Sequence, residues 1–175
     1  MFNRNHCWRH LLVIFFSLSI TACGFQLRGK DSRFSLPTHW KKLALISANP
    51  QDDFTRQVIL TFKLGGVEWN SAGSANYILS LGPAKLKKNS QSLNSQARPS
   101  EIELVLKSNI SITRKDGEKM IPKIEMVVRR YINNNPLNAT GTNEETQLTI
   151  SEMRRQLAEK MLRRISNLAH STAEI

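Results

Sequence analysis

Apolar positions fall along this chain in two distinct rhythms, and the switches between them mark out the elements. Leu43, Ala44, Leu45 and Ile46 form a run of strand length, closed by the break signal Asn49-Pro50. Phe54, Val58, Ile59 and Phe62 then recur three or four apart, which is helical spacing. Asp52 or Asp53 can cap that helix, because a carboxylate accepts from the free N–H groups of a first turn. Gly65-Gly66 stops it. Tyr77, Leu79 and Leu81 alternate as in a strand. Gly82-Pro83 interrupts the alternation as a bulge or edge feature, after which Ala84 and Leu86 continue on the other parity. Residues 88–100 are polar and read as a loop or extended hairpin tip.

The clearest strand comes next. Ile102, Leu104, Leu106, Ile110 and Ile112 share one parity, and Glu101, Glu103, Lys107, Asn109, Ser111 and Thr113 the other. Such a strand buries one face and wets the other. Asp116-Gly117 is a hairpin turn signal. The return strand runs through Ile124, Met126 and Val128 to Ile132. Residues 133–143 read as a loop. A long helix then carries Leu148, Ile150, Met153, Leu157, Met161, Ile165 and Leu168 on one stripe, with Arg154, Arg155, Lys160, Arg163 and Arg164 on the other.

The order β-α-β-β-β-α predicts an α+β two-layer sandwich: a mixed four-stranded sheet with two helices packed on one face. The strand–helix–strand start implies a parallel pair joined by a right-handed crossover. With both helices on one side, the other sheet face stays uncovered, and its residues are polar apart from Val105.

The N-terminus adds location. Residues 1–10 carry Arg4, His6, Arg9 and His10 and no acid, and residues 11–20 are a mainly apolar run. Ten helical residues reach about 15 Å, half of the roughly 30 Å of a bilayer core. A basic flank, a short apolar run and small residues before a cleavage point are the parts of a signal peptide. Ile20-Thr21-Ala22-Cys23 resembles the bacterial lipobox, in which cleavage falls between Ala22 and Cys23 and the thiol takes a diacylglycerol, the new amine an acyl chain. An ordinary secretory signal with a chance cysteine is the plainer alternative. Three acyl chains would anchor the protein stably, where a single chain binds only marginally. In lipoproteins of this kind, Asp after the cysteine marks the inner membrane. Gly24 stands there instead and favours the outer membrane. Residues 1–22 are then a removed signal peptide, 23–40 a lipidated tether, 41–170 a single domain and 171–175 a tail.

Removal of 22 of the 175 residues leaves 153, enough for one modest core. Loss of Arg4 and Arg9 lowers the formal charge from +11 to +9. A basic exported domain attracts anionic membrane or phosphorylated glycolipid, and export past the inner membrane argues against nucleic acid. Eleven bases lie between Lys85 and Arg130 against five acids. Most of these bases have a solvated surface as their bland reading; the sharper one is that some meet phosphates, Arg bidentately and Lys as a point charge.

No catalytic constellation accompanies them. Mature His39 and His170 stand far apart in sequence, outside any metal-ligand spacing, and an acylated Cys23 is no nucleophile. Neither G-x-S-x-G nor S-x-x-K occurs. The reading is of a non-enzyme with no cofactor and no metal.

Directly after the lipobox, Cys23-Gly24-Phe25-Gln26-Leu27-Arg28-Gly29 resembles the opening of the LPS-assembly lipoprotein family, LptE. The likeness continues in the helix at 53–67, the strand ending in Asn-Pro at 128–136, and the Arg-, Leu- and Ala-rich helix at 153–165. The resemblance implies two helices on a mixed four-stranded sheet. It also implies an outer-membrane protein inside the lumen of the β-barrel LptD, serving as plug and assembly factor and binding lipopolysaccharide on its way to the cell surface. The family's basic lipid-contacting positions fall in two loops, here residues 94–98 and 138–143. The second has neither Lys nor Arg, which leaves Arg98, with Lys87 and Lys88 nearby, as the carried-over candidates. The alternatives are a generic envelope-binding lipoprotein, for peptidoglycan or another assembly machine, and a lipid-anchored hydrolase, for which no nucleophile is found.

Overall fold

In the computed structural model, the residues described are 36–93, 99–133 and 139–172. They contain six strands and two α-helices: β1 (Lys42–Ser47), α1 (Asp53–Leu64), β2 (Glu68–Trp69), β3 (Tyr77–Leu81), β4 (Lys85–Leu93), β5 (Pro99–Arg114), β6 (Lys119–Asn133) and α2 (Ala139–Thr172). A 3-10 turn, Thr38–Trp40, precedes β1 and seats Trp40 in the core.

Local chemistry sets the ends of α1. Asp52 is the cap, its Oδ1 accepting from the Thr55 N–H at 2.6 Å. At the other end, Val67 N–H bonds the Phe62 carbonyl and Gly66 N–H that of Lys63, both at 3.0 Å. This is a Schellman closure, and it needs the left-handed φ of +89° that Gly66 adopts. Phe54, Val58 and Phe62 form the buried stripe.

β1 is the parallel centre of one end of the sheet, flanked by β2 and by β3. β5 is the centre of the other end. Along one side it pairs antiparallel with β6 over nearly its whole length. Along its other side it pairs first with β4 and then with β3. β3 and β4 therefore lie end to end on one edge of β5. Between them, residues 82–84 oppose only Ser108 and Asn109, a bulge that shifts the parity by one. Gly82 N–H donates to the Asn109 carbonyl at 2.8 Å, and Ser108 Oγ to the Gly82 carbonyl at 2.9 Å. The Gly82-Pro83 interruption thus sits where the sequence pattern puts it.

Leu104, Leu106, Ile110 and Ile112 of β5 are buried, together with Ile121, Met126 and Ile132 of β6, beneath Met153, Leu157, Met161 and Ile165 of α2. The two helices run side by side and parallel. Arg154 pairs with Asp53 at the start of α1, and Leu162 packs against Gly65 at its end.

The expected two-layer α+β sandwich is present, with three corrections of detail. The strands number six rather than four, because β2 is a two-residue edge and β4 is a separate strand. Of the polar residues 88–100, which read as a loop or an extended hairpin tip, those described take the second form: β5 begins at Pro99 and β4 continues to Leu93. Its sequence, KLKKNSQSL, does not alternate because it buries neither face: residues 85–88 are all exposed. The last helix begins at Ala139, so residues 139–143 are helical and not loop. Thr and Asn there are poor helix formers, but Thr146 is buried and its Oγ1 bonds the Thr142 carbonyl at 2.6 Å. Leu148 is 71% exposed, off the stripe that Ile150 and Met153 begin.

Candidate functional site

Ala22, Cys23 and Arg98 lie outside the described residues. Lys87 and Lys88 are on β4, and strand geometry turns them to opposite faces. Lys87 stands in a row with Val105 and Arg129 on the uncovered face. Lys88 stands in a row with Leu104 and Arg130 on the helix-bearing face. The two lysines that sequence proximity groups together cannot converge on one headgroup without one of them reaching around the strand.

The uncovered face is less polar than its sequence suggests, since Ile46, Ile78 and Val127 join Val105 on it, but between β4 and β6 it is polar and its centre is a carboxylate. The Glu103 side chain is only 12% exposed. It accepts from Asn89 Nδ2 at 2.9 Å, Gln91 Nε2 at 3.3 Å and Tyr131 Oη at 3.4 Å, and pairs with Arg129 Nε at 3.5 Å. Four donors from β4 and β6 thus meet one acceptor on β5. The signal available in the sequence was only parity: Glu103 and Tyr131 fall on the polar side of facing strands. Lys107 pairs with Glu125 at 3.3 Å on the same face.

Across the sheet, Arg130 donates to Gln156 Oε1 at 2.7 Å and Lys160 to the Val127 carbonyl at 3.0 Å, tying α2 to β6. Gln156 bonds Glu152, which also takes both a bond and an ion pair from Arg155. Those contacts, Arg155 first and Gln156 second, pull the Glu152 carboxyl from 4.5 down to about 2. The same bond from Glu152, with the nearby Glu159 charge, raises Arg155 above its already high value.

The acids of the sheet are largely committed: Glu103 to Arg129, Glu125 to Lys107, Asp116 and Glu118 to Arg114. Among the described residues Lys85, Lys87, Lys88, Lys119 and Lys123 have no acidic partner, so the sheet and its turns keep a positive excess. Trp40 is core, tilted against Tyr77 at 5.4 Å, and Trp69 donates its indole N–H to the Ile59 carbonyl. The aromatics therefore pack rather than form a stacking platform, Tyr131 apart. Two open clefts, of 440 and 320 Å³, are lined by mixed charges, Arg114, Lys115 and Asp116 in one and Asp53, Arg56 and Arg154 in the other. Among the described residues no cluster suits a metal, and no helix is long and apolar enough to cross a membrane.

Comparison with known proteins agrees across most of the chain. A sequence model of the family described as "LptE: Lipopolysaccharide-assembly" matches residues 40–165. A protein of Photorhabdus laumondii named LPS-assembly lipoprotein LptE is 30% identical over 156 residues, covering 88% of this chain and 83% of the relative. One of the same name from Pectobacterium atrosepticum is 28% identical over 157 residues, with the same coverage. Among solved structures, the rare lipoprotein B of Shewanella oneidensis shares the fold at a TM-score of 0.67 and 24% identity, over 77% of this chain and 99% of that one.

Proposed function

The chain belongs to the LptE family of lipopolysaccharide-assembly proteins, and on that premise we propose that it is a non-enzymatic outer-membrane lipoprotein that plugs, and helps to assemble, an LptD-type β-barrel. Cleavage between Ala22 and Cys23 and acylation of Cys23 hold it in the membrane. The domain stands on the periplasmic side, within the barrel lumen. Its partners are that barrel, the membrane through the anchor, and lipopolysaccharide in transit.

The observation that carries this reading is the family match over residues 40–165, nearly the whole folded domain. The surface supports it physically. The lumen of a large barrel is wet and polar, so a plug must show it a polar face without unfolding. Between β4 and β6 the uncovered sheet face does so, with its carboxylate and cations bonded to one another. The uncommitted cations suit a phosphorylated glycolipid. Arg98, with Lys87 on one face and Lys88 on the other, would meet its phosphates. Because the two lysines diverge, one headgroup engages at most one of them directly.

Mild detergent extraction after crosslinking tests the central claim. The protein is expected in complex with a β-barrel several times its size; recovery alone overturns the reading in favour of a generic envelope-binding lipoprotein. For the lipid site, Arg98→Ala is expected to weaken lipopolysaccharide binding, and unchanged affinity removes Arg98 from it. Radiolabelled palmitate is expected to label the protein and not its Cys23→Ser variant; an unlabelled wild type would mean that the leader is an ordinary secretory one.

A further inference from the structure

Among the described residues the far half of the sheet has three strands, β4, β5 and β6, and so two outer edges. Gly82 N–H donates to the Asn109 carbonyl. That contact fixes which way β5 points its backbone: odd residues toward β3 and β4, even residues toward β6. Carried along the registers, Val127 of β6 and Leu86, Lys88 and Ser90 of β4 turn their own N–H and C=O groups outward.

The β6 edge is obstructed from Pro122 to Val127, and past it, where Arg129 and Tyr131 also turn outward, the cations are already committed, Arg129 to Glu103 and Arg130 to Gln156. Pro122 has no N–H to offer and sits in a bulge, where Ile121 and Ile124 pair with Ile112 and Ile110. Further along, Lys160 of α2 occupies the outward Val127 carbonyl. The β4 edge carries none of these devices between residues 85 and 90. Its register is unbroken up to Ser90, it has no proline, and residues 85–88 and 90 are exposed.

Three of these six residues are lysines, Lys85, Lys87 and Lys88, with no acidic partner among the described residues. Edge lysines ordinarily prevent strand addition by repelling whatever approaches. That repulsion rejects a second copy of the chain, which would bring lysine against lysine. Toward an acidic strand it reverses sign. We infer that the outer edge of β4, residues 85–90, accepts an extended acidic protein segment as an added strand. Backbone bonds from Leu86, Lys88 and Ser90 would hold the segment. Neighbouring acids would face Lys87 on the uncovered side and Lys88 on the helix side. The inference stands on the edge itself and does not depend on the barrel or lipid assignments.

The test uses the full mature chain, isotopically labelled in a zwitterionic detergent, titrated with the end-capped peptide Val-Glu-Glu-Val-Glu-Glu-Val. Saturable amide shifts centred on Leu86, Lys88 and Ser90 are expected, with a Kd below about 1 mM. Lys88→Pro removes one outward N–H without touching a bond to β5, and should abolish binding. The double variant Lys87→Ser, Lys88→Ser keeps every backbone group, and should weaken binding at least about tenfold. No saturable shift, shifts centred on β6, or equal binding of the peptide with Lys in place of Glu would each overturn the inference. So would tight binding by the double variant.

Discussion

At the β1–β3 end of the sheet, Trp40, Leu43, Phe54, Phe62 and Leu79 are each at most 1% exposed, and α1 closes over them. At the other end, where β4 and β6 flank β5, the helix-bearing face is still apolar, but the opposite face is held by Glu103 and its four donors, and α2 is tied down by Arg130, Gln156 and Lys160. The first region is kept together by burial, which is strong and tolerant of direction. The second has comparable burial under α2, with Leu104 and Leu106 at most 2% exposed, and adds on its other face polar contacts, each weak in net terms and each dependent on geometry. There the sheet divides its work by face, burial on the helix side and a bonded polar surface on the other.

The sharpest way to break that comparison is to remove packing from the first end. Phe62→Ala takes a fully buried ring from between α1 and the sheet, where Trp69 lies 6.0 Å from it centroid to centroid. The expected loss is about 3–5 kcal/mol, read by denaturant unfolding. A loss below about 1 kcal/mol would mean that this end is loosely packed after all.

The junction between the two regions gives the next effect. A Cβ on Gly82 would lie 2.5–2.7 Å from the side chain of Asn109. Gly82→Ala should therefore cost about 1–3 kcal/mol through overpacking at the bulge. Asn109→Ala in the same chain should restore most of it. If the double variant is no more stable than Gly82→Ala alone, the cost is in the backbone and not in that contact.

This division also explains what was legible in the sequence. Tyr77, Leu79 and Leu81, the even residues of β5, and Phe54, Val58 and Phe62 announce their elements because each buries one face, and burial writes a period into the chain. Even the bulge was readable, since Gly82-Pro83 and the change of parity point to it together. Of β4 only the start, at Leu86, was readable, with loop and extended hairpin tip both open beyond it, because a strand wet on both faces has no period to show. The start of α2 was misplaced for a related reason. Its first turns are Thr, Gly and Asn, and only the buried Thr146 reveals that tertiary contact overrides their propensity. Of the candidate site, Lys87 and Lys88 were legible as cations but not as a divergent pair. Glu103 was legible as a polar-face residue but not as a hub, since its partners are 12 to 28 positions away in the chain.

Glu103→Ala tests the polar end directly. It strands Asn89, Gln91, Tyr131 and Arg129 without their shared acceptor, yet all four can turn to water. The expected cost is about 1–2 kcal/mol, smaller than that of Phe62→Ala. Its signature is local: faster amide exchange at residues 89–91 of β4, with β1 and β3 unchanged. Uniform acceleration across the sheet would erase the distinction between the two ends.

The smallest effect is the most specific, because pH isolates it. Glu152 has its carboxyl held near 2, chiefly by the bond from Arg155, against an ordinary 4.5. A depressed carboxylate contributes stability only while it is ionised in the folded state. The contribution is complete above about pH 4.5 and disappears as pH falls toward 2. Glu152→Gln removes the charge and changes helix propensity little. Wild type should therefore melt slightly higher than this variant above pH 5, and the gap should close between about pH 4.5 and 2. Since the group is exposed, 0.5 M salt should narrow the gap as well. A gap that persists unchanged below pH 2 would mean that Glu152 stabilises α2 by something other than its charge. The Arg155–Glu152–Gln156–Arg130 chain would then be an arrangement of surface side chains and not part of what holds α2 to β6.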